Sequence, residues 1–372
     1  CSTTLGTRCN WMLPRLEARG AISVPMVYLT PVIAVALTLV AGVIMFKFLG
    51  FDPGRSLYIY FINPLTTVYG WSELAVKAVP LALIGVGLAL GFRANVWNIG
   101  AEGQFTLGAL AGGGVAIWFH DSESALLLPA MFIAGIAGGM AWAAIPAWFR
   151  TRHNANEILT SLMLTYVAIL FLSWLVHGPW RDPSGFNFPE SRMFPEAGVL
   201  PIILDETRLN IGLIIAVLVV TGGWIIVSKS FVGFQIKVVG QAPYAAGYAG
   251  FSENRLIWFT FLFSGGLAGL AGMMEVAGPI GQLLPVVSPG YGFTGIIVAF
   301  LGRLHPVGVL LAAIMIALSY IGGEQAQIEL QQPKSVTGVF QGMLLFFLLG
   351  TDVLIRYRIR FGRRGGATAA VR

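Results

Sequence analysis

The sequence predicts an all-α polytopic membrane protein with about ten membrane-spanning helices. Two observations carry that reading. Hydrophobic residues make up 56% of the chain and charged residues only 11%, with a mean hydropathy of +0.78; a soluble surface needs far more charge. The apolar residues also fall into runs of about 20, the length that crosses a bilayer core, separated by polar, Pro- or Gly-rich breaks.

Taken in order, the first run is Val24 to Phe46, ending beside Lys47. Phe51 to Trp71 mixes aromatics with Pro53 and Pro64 and suits an interfacial segment. The second span runs from Glu73 to Gly91, with Lys77 close enough to its end to snorkel. The third covers Gly103 to Phe119 and the fourth Ser124 to Phe149; a basic break at Arg150, Arg152 and His153 precedes the fifth, Ile158 to Val176. A polar loop over 178–208, rich in Pro, Phe and acids, is expected to be ordered and external. The sixth span is Leu209 to Ser228, and a polar segment over 229–255 follows it. The seventh is Leu256 to Ala277, the short eighth Phe293 to Leu301, the ninth Pro306 to Gly322 and the tenth Ser335 to Ile355. The domain reading is thus an N-terminal arm (1–23), a membrane domain (24–355) and a basic tail (356–372).

An even number of spans puts both ends on one side. Placing the arm in the cytoplasm assigns most of the 23 Lys and Arg to the inner side, among them Arg8, Arg15, Arg19, Arg93, Arg150, Lys229, Lys237, Arg303 and the tail arginines. The outer loops take Asp121, Asp182, Glu190, Asp205 and Glu324, the asymmetry of the positive-inside rule. That rule accounts for the net charge of +6, so no nucleic-acid partner is expected. Cys1 and Cys9 lie in the arm with no CxxC and no neighbouring His, which points to neither a metal site nor a disulfide framework. No cleavable signal peptide is read, since the first apolar run is too long for one. Many of the 47 glycines stand at small-xxx-small spacing, as in Gly108/Gly112, Gly135/Gly139 and Gly265/Gly269, a pattern that lets helix backbones approach closely in lipid.

Enzyme motifs are missing. The stretch nearest a phosphate-binding loop, GWIIVSKS at Gly223 to Ser230, has Ser228 where the second Gly is required, and it lies at a membrane helix end rather than after a strand. HExxH and GxSxG are absent. No catalytic residue and no metal ligand is assigned.

Three stretches carry the functional reading. Gly91 to Gly112, GFRANVWNIGAEGQFTLGALAG, packs Arg93, Asn95, Asn98, Glu102 and Gln104 between two apolar runs. Its 95–100 link reads either as a turn facing water or as an unwound segment at membrane depth, where unpaired amides must be shielded. In the second, Gly233 to Asn254, Pro243 suits a helix start and Gly250 a stop; the small helix between them is either a docking element or an ordinary loop helix. The third, Glu275 to Phe293, holds enough Pro and Gly to break a membrane helix, as transporters do along a substrate path, or to form an external loop. Glu275 is there an intramembrane acid or a boundary residue.

Five blocks in order resemble the permease subunits of ABC importers for nucleosides and simple sugars, the branched-chain amino acid/ribose-like permease family. They are RANVWNIGAEGQF at Arg93 to Phe105, NEILTSLMLTYVA at Asn156 to Ala168, the GQAPYAAGYAG segment ending at Gly250, FSGGLAGLAG at Phe263 to Gly272, and SPGYGFTGIIVAFLGRLHP at Ser288 to Pro306. The NIGAEGQ form looks like the nucleoside-type branch. The resemblance implies a type II-like importer fold with two inverted repeats around a central path. It implies a second permease subunit, identical or different, two separate cytoplasmic ABC ATPases, and an external solute-binding protein or lipoprotein. ATP would be used by the ATPase partner, and no cofactor would be held in this chain. It further implies a multi-pass protein of the bacterial inner membrane with both termini cytoplasmic.

Within that frame Gly240, Pro243, Tyr244, Ala245, Ala246, Gly247 and Gly250 match the cytoplasmic coupling helix that seats in the ATPase. Asn95, Trp97, Asn98, Glu102, Gln104, Phe105, Tyr291 and Phe293 are the candidate substrate-path residues, since a neutral solute with a flat base needs amides, hydroxyls and aromatic faces. The Gly91 to Gly112 stretch reads equally as a substrate contact or as a brace near the inner gate. An ion-coupled secondary transporter of a small polar solute is the alternative, with Glu102 and Glu275 as its internal acids.

Overall fold

The computed structural model describes residues 15–18 and 24–360. Cys1, Cys9, Arg8, Arg19 and the tail beyond residue 360 lie outside the described residues. Thirteen α-helices make up most of the described chain: α1 (Val24–Phe48), α2 (Pro53–Phe61), α3 (Val68–Arg93), α4 (Ala101–Trp118), α5 (Leu127–His153), α6 (Glu157–His177), α7 (Gly212–Lys229), α8 (Phe231–Gln241), α9 (Pro243–Tyr248), α10 (Glu253–Glu275), α11 (Tyr291–Leu301), α12 (Pro306–Glu329) and α13 (Ser335–Arg356). Two four-residue strands, β1 (Arg15–Ala18) and β2 (Tyr357–Arg360), pair antiparallel, an element that the apolar pattern did not foretell.

The chain divides into two compact units. The smaller takes residues up to Met45 together with those from Gly342; within it the Thr351 hydroxyl donates to the Thr30 carbonyl at 3.3 Å. The larger, Phe46–Gln341, holds everything discussed below.

Among the described residues, seven helices are long and apolar enough to cross a membrane, and α11 and 335–351 are shorter apolar helices. Each of the ten runs read from the sequence therefore lies on a helix, with α11 a half-length one. α4 is 18 residues long but opens on Glu102 and Gln104. Burial separates central from peripheral helices. In α3 and α10, 89% and 72% of the apolar window is buried, against 22–28% in α5, α6 and α7. The first pair forms the core, and the other three leave most of their surface for lipid.

The contacts repeat. α10 packs on α3, α4 and α5, while α3 packs on α10, α11 and α12; α4 lies on α5 as α11 lies on α12. The trio α3–α4–α5 is thus matched by α10–α11–α12. Gly87 of α3 meets Ser264 of α10, and Val76 and Pro80 share a cavity with Ala271 and Glu275. Later residues of one helix face earlier residues of the other, so α3 and α10 run antiparallel. That is the relation of an inverted repeat.

Glycine makes the core spacing possible. A Cβ at Gly108 would overlap the backbone of Gly269, and one at Gly139 would overlap Gly265 and Gly269. The small-xxx-small pairs read in the sequence therefore bring α4, α5 and α10 to backbone contact, where dispersion between close-packed atoms replaces side-chain burial as the cohesive term.

The 178–208 loop is ordered by hydrogen bonds to the break after α10. That break begins as a π-turn over Val276–Ile280. Ser191 N donates to Leu283 O at 3.0 Å and Leu283 N to Ser191 Oγ at 2.9 Å. Phe194 N reaches Gly281 O and Leu200 N reaches Ala277 O, both at 2.8 Å. The irregular backbone of each segment satisfies that of the other, which is what buried broken helices require. At the loop's end Arg208 makes a two-pronged ion pair with Glu73 of α3, and the hydrogen bond to Glu73 raises the pKa of the Arg208 guanidinium.

Candidate functional site: the junction of two interrupted helices

α3 stops where Ala94 N and Val96 N turn back to Gly91 O, both at 2.9 Å, and Asn95 adopts a left-handed φ of 57°, which Asn tolerates better than most residues. The link over 94–100 is a short, non-helical turn and mostly buried: Asn98 is 3% exposed, while Asn95 is exposed. Phe92, Trp97 and Phe300 form an aromatic stack with centroids 5.0–5.9 Å apart, and Arg93 Nε donates to Leu304 O at 2.7 Å. Through these contacts the end of α3 is fastened to the end of α11. Nearby His305, which precedes α12, has its pKa lowered by burial.

Beyond the stack lies a paired-amide lock. Asn98 Nδ2 donates to Gln104 Oε1 at 2.8 Å, and Gln104 Nε2 returns a bond to Asn98 Oδ1 at 3.0 Å. Asn98 also donates to Ser264 Oγ of α10 at 2.8 Å and accepts from Gly100 N at 3.0 Å. Ile99 N donates to Ser161 Oγ of α6 at 3.2 Å. With Gln104 at 1% and Ser264 at 2% exposure, the lock is a satisfied buried network. Networks of this kind fix one arrangement and tolerate little loss.

The next residues join the two repeats. Gly292 N donates to Glu102 Oε2 at 2.6 Å, and the Ser288 side chain bonds to the same carboxyl. Ser288 Oγ in turn accepts from Gly290 N and Tyr291 N, both at 3.0 Å. The first N–H groups of α11, which no helical carbonyl can satisfy, are therefore met by Ser288 and by an acid from the first turn of α4. Placing a carboxylate where two helix N-termini meet also suits their dipoles. Phe105 and Tyr291, both fully buried, stack edge-on at 6.0 Å. Tyr291 packs edge-on against Tyr320 at 5.7 Å, whose hydroxyl bonds Thr294 Oγ1 at 2.8 Å.

Of the eight candidate path residues, Asn98, Glu102, Gln104, Phe105 and Tyr291 thus come together at one buried junction. Asn95 is exposed, Trp97 is half-buried, and Phe293 is 37% exposed. Ser161, Ser264, Ser288, Thr294 and Tyr320 belong to the same junction, and sequence reasoning did not select them. Ser264 and Ser288 stand in stretches already singled out, but a serine in a glycine-rich helix carries no local sign of a distant partner. Among the described residues no three His, Cys, Asp or Glu gather into a metal-binding group.

The segment between α7 and α10 folds as two helices. In α9, Pro243 stands at N1 and Gly250 stops the chain with φ +79°, as the sequence predicts. Tyr244 and Tyr248 are 89% and 96% exposed while Ala246 is buried, and nothing lies within 4 Å of a Cβ at Gly247. A Cβ at Gly240 would overlap the Arg93 carbonyl, so the end of α8 rests directly on the end of α3. Phe231, Phe234 and Phe251 pack with one another at 5.9–6.3 Å, the first two largely exposed.

Long apolar helices packed around α3 and α10, with interrupted helices meeting at the junction, describe a multi-pass membrane protein. Residues 70–349 match the family model described as branched-chain amino acid transport system / permease component. The chain belongs to that family. It is 37% identical to the glucose ABC transporter permease protein TsgB13 of Haloferax volcanii, over 96% of both chains. With the guanosine ABC transporter permease protein NupP of Bacillus subtilis the identity is 31%, over 90% of this chain and 94% of that one. The nucleoside ABC transporter permease protein NupB of Lactococcus lactis is 28% identical, over 86% and 90%. The protein is accordingly a membrane permease of an ABC transporter, and the ion-coupled alternative is not favoured.

Proposed function

We propose that this permease imports a nucleoside or a related sugar-containing solute across the inner membrane of a bacterial cell by alternating access. The observation that carries the substrate class is its near full-length similarity to permeases named for glucose, guanosine and nucleosides. Their named solutes share a neutral, hydroxyl-rich sugar, which hydrogen-bonding groups and aromatic faces recognise without fixed charge.

ATP hydrolysis takes place in a separate pair of cytoplasmic ATPases, and α9 docks there through Tyr244, Ala245, Gly247 and Tyr248, with both termini and the 229–255 segment on the same side. Its exposed tyrosines and the open space at Gly247 support that reading. The 178–208 loop faces outward, where a solute-binding protein or lipoprotein delivers the cargo. A second permease subunit completes the path. A further ABC transporter permease from Haloferax volcanii and from Bacillus subtilis also matches this chain, which supports a heterodimer. The ATPases and the loaded binding protein shift the balance of inward- and outward-open states by binding one more tightly.

Within this scheme Asn98, Glu102, Gln104, Phe105 and Tyr291 brace the half-helices, while Asn95, Trp97 and Phe293 have the exposure that solute contact needs. Uptake of labelled guanosine and labelled glucose by cells expressing the full set of subunits, competed by nucleosides, bases and pentoses, tests the substrate class. Competition by nucleosides or sugars and not by free bases is the expected result. Uptake that no nucleoside or sugar reduces would overturn it.

A further inference from the structure

The inner and outer faces of α6 both carry polar side chains, and only the inner ones are accounted for by the junction. Ser161 accepts from Ile99 N at 3.2 Å, and Thr165 backs onto Gly103 of α4. On the outer face Tyr166 is 56% exposed, and among the described residues its hydroxyl has no hydrogen-bond partner. The helix runs from Glu157 to His177. At about 1.5 Å per residue, Tyr166 lies about 14 Å from one end and about 17 Å from the other, the middle of an apolar span.

Hydrocarbon offers a phenol nothing at that depth. Burying an unbonded hydroxyl is costly, and tyrosines of membrane proteins gather at the two interfaces instead. Comparable side chains on the neighbouring helices are settled within the chain: Thr221 of α7 donates to Val217 O at 2.8 Å, and Trp142 of α5 donates to Leu164 O at 3.2 Å. Tyr166 has no such carbonyl. Ser173 and His177 stand about two and three turns beyond it on the same helical face, so polar groups run from the middle of α6 to its end at the 178–208 loop. His177 Nδ1 lies 2.8 Å from Ser173 O, and its Nε2 has no partner among the described residues. Beside this column Phe171 and Trp174 stack at 5.9 Å, both exposed.

Polar groups within a membrane span face protein or water rather than lipid. Hydroxyls, an imidazole and paired ring faces also match a neutral, hydroxyl-rich solute. From the unpartnered phenol at mid-span and the polar column leading to it, we propose that this face of α6 lines the solute path and that the Tyr166 hydroxyl hydrogen-bonds the solute. The proposal rests on the transport reading and adds α6 to the path, giving the outer face of the Asn156 to Ala168 block a role.

The test uses the full set of subunits in membranes. Tyr166→Phe removes one hydroxyl and keeps the ring. The half-saturating concentration for uptake of labelled guanosine or labelled glucose should rise about 3- to 10-fold, with the unfolding midpoint and subunit co-purification unchanged. Unchanged half-saturation would overturn the proposal. In a background with Cys1 and Cys9 replaced by Ser, Tyr166→Cys is probed with a charged, water-soluble thiol reagent, and Leu218→Cys on the exposed apolar face of α7 serves as reference. Modification at 166 and not at 218, slowed by whichever of the two solutes is carried, is the expected result. No modification at 166, modification that the carried solute leaves unslowed, or a disulfide joining two copies at 166 would each overturn it, the last by assigning the face to packing between subunits. Should Tyr166→Cys fail to assemble, Ser173→Cys on the same column replaces it. A complex that carries neither solute refutes the substrate class by itself, and modification at 166 without modification at 218 then still supports a water-filled path along α6.

Discussion

Gly292 gives its backbone N–H to the Glu102 carboxylate at 2.6 Å, and a Cβ on Gly292 would overlap the Glu102 backbone. One residue therefore both bonds its partner and approaches it too closely for any side chain. Gly292→Ala is expected to push α4 and α11 apart and to cost about 1–3 kcal/mol. A lowered unfolding midpoint together with lost uptake, in a protein still inserted in the membrane, is the outcome to look for; wild-type uptake would contradict the tight junction.

Glu102 separates bracing from solute contact. Glu102→Ala leaves the first N–H groups of α11 without a charged acceptor, a loss of about 1.5–3 kcal/mol. Glu102→Gln keeps an acceptor oxygen and should lose much less. If Glu102 braces, the unfolding midpoint falls in the order wild type, Gln, Ala, while the apparent affinity for solute in the Gln variant stays unchanged. A shifted affinity with an unchanged midpoint would assign it to the path instead.

The paired amides of Asn98 and Gln104 invite a double-mutant cycle. Asn98→Leu alone strands Gln104 and Ser264 in a dry interior, at about 1–3 kcal/mol. Adding Gln104→Leu removes the stranded amide, so the double variant is expected to be more stable than the sum of the single losses predicts. Strict additivity of the midpoint shifts would mean that the two side chains do not act as a unit.

On α9 the neighbouring positions 246 and 247 should behave differently. Ala246 is buried, so a bulky residue there disturbs the helix itself. Gly247 faces open space; Gly247→Trp should leave expression and unfolding unchanged yet abolish uptake and reduce co-purification of the ATPases. Full uptake in Gly247→Trp would remove α9 from the ATPase contact.

The ion pair between Arg208 and Glu73 closes the 178–208 loop onto α3. Arg208 is about half exposed at its side chain, which screens the pair, whereas Glu73 is buried. Arg208→Met should therefore cost about 1–3 kcal/mol, less than the fully buried limit, and should speed limited proteolysis within the loop. Unaltered cleavage rates would show that the backbone bonds to 277–283 hold the loop without it.

Local signals explain what the sequence disclosed. The helices were legible because lipid demands apolar length, and α9 because Pro243 and Gly250 mark its ends. Gly108, Gly139, Gly265 and Gly269 were legible because only small residues allow helix backbones to touch. The break at 94–100 announced itself through Asn95 and Asn98, whose polarity has no place in a lipid-facing helix. What stayed hidden were partners far apart in the chain. Glu102 and Gly292 are 190 positions apart, Ser191 and Leu283 are 92, and no periodicity links such residues. Glu275 read as intramembrane or boundary; only the packing of α3 and α7 around it shows it enclosed.

The glycine contacts among α4, α5 and α10 have a mechanical consequence. Helices that meet through side chains can slide, because rotamers reshuffle to follow the movement. Helices that meet backbone to backbone have no such bearings, and Gly108, Gly139, Gly265 and Gly269 leave nothing between the rods to yield. These three helices form one stiff block, and any opening or closing of the permease must take place around it rather than through it.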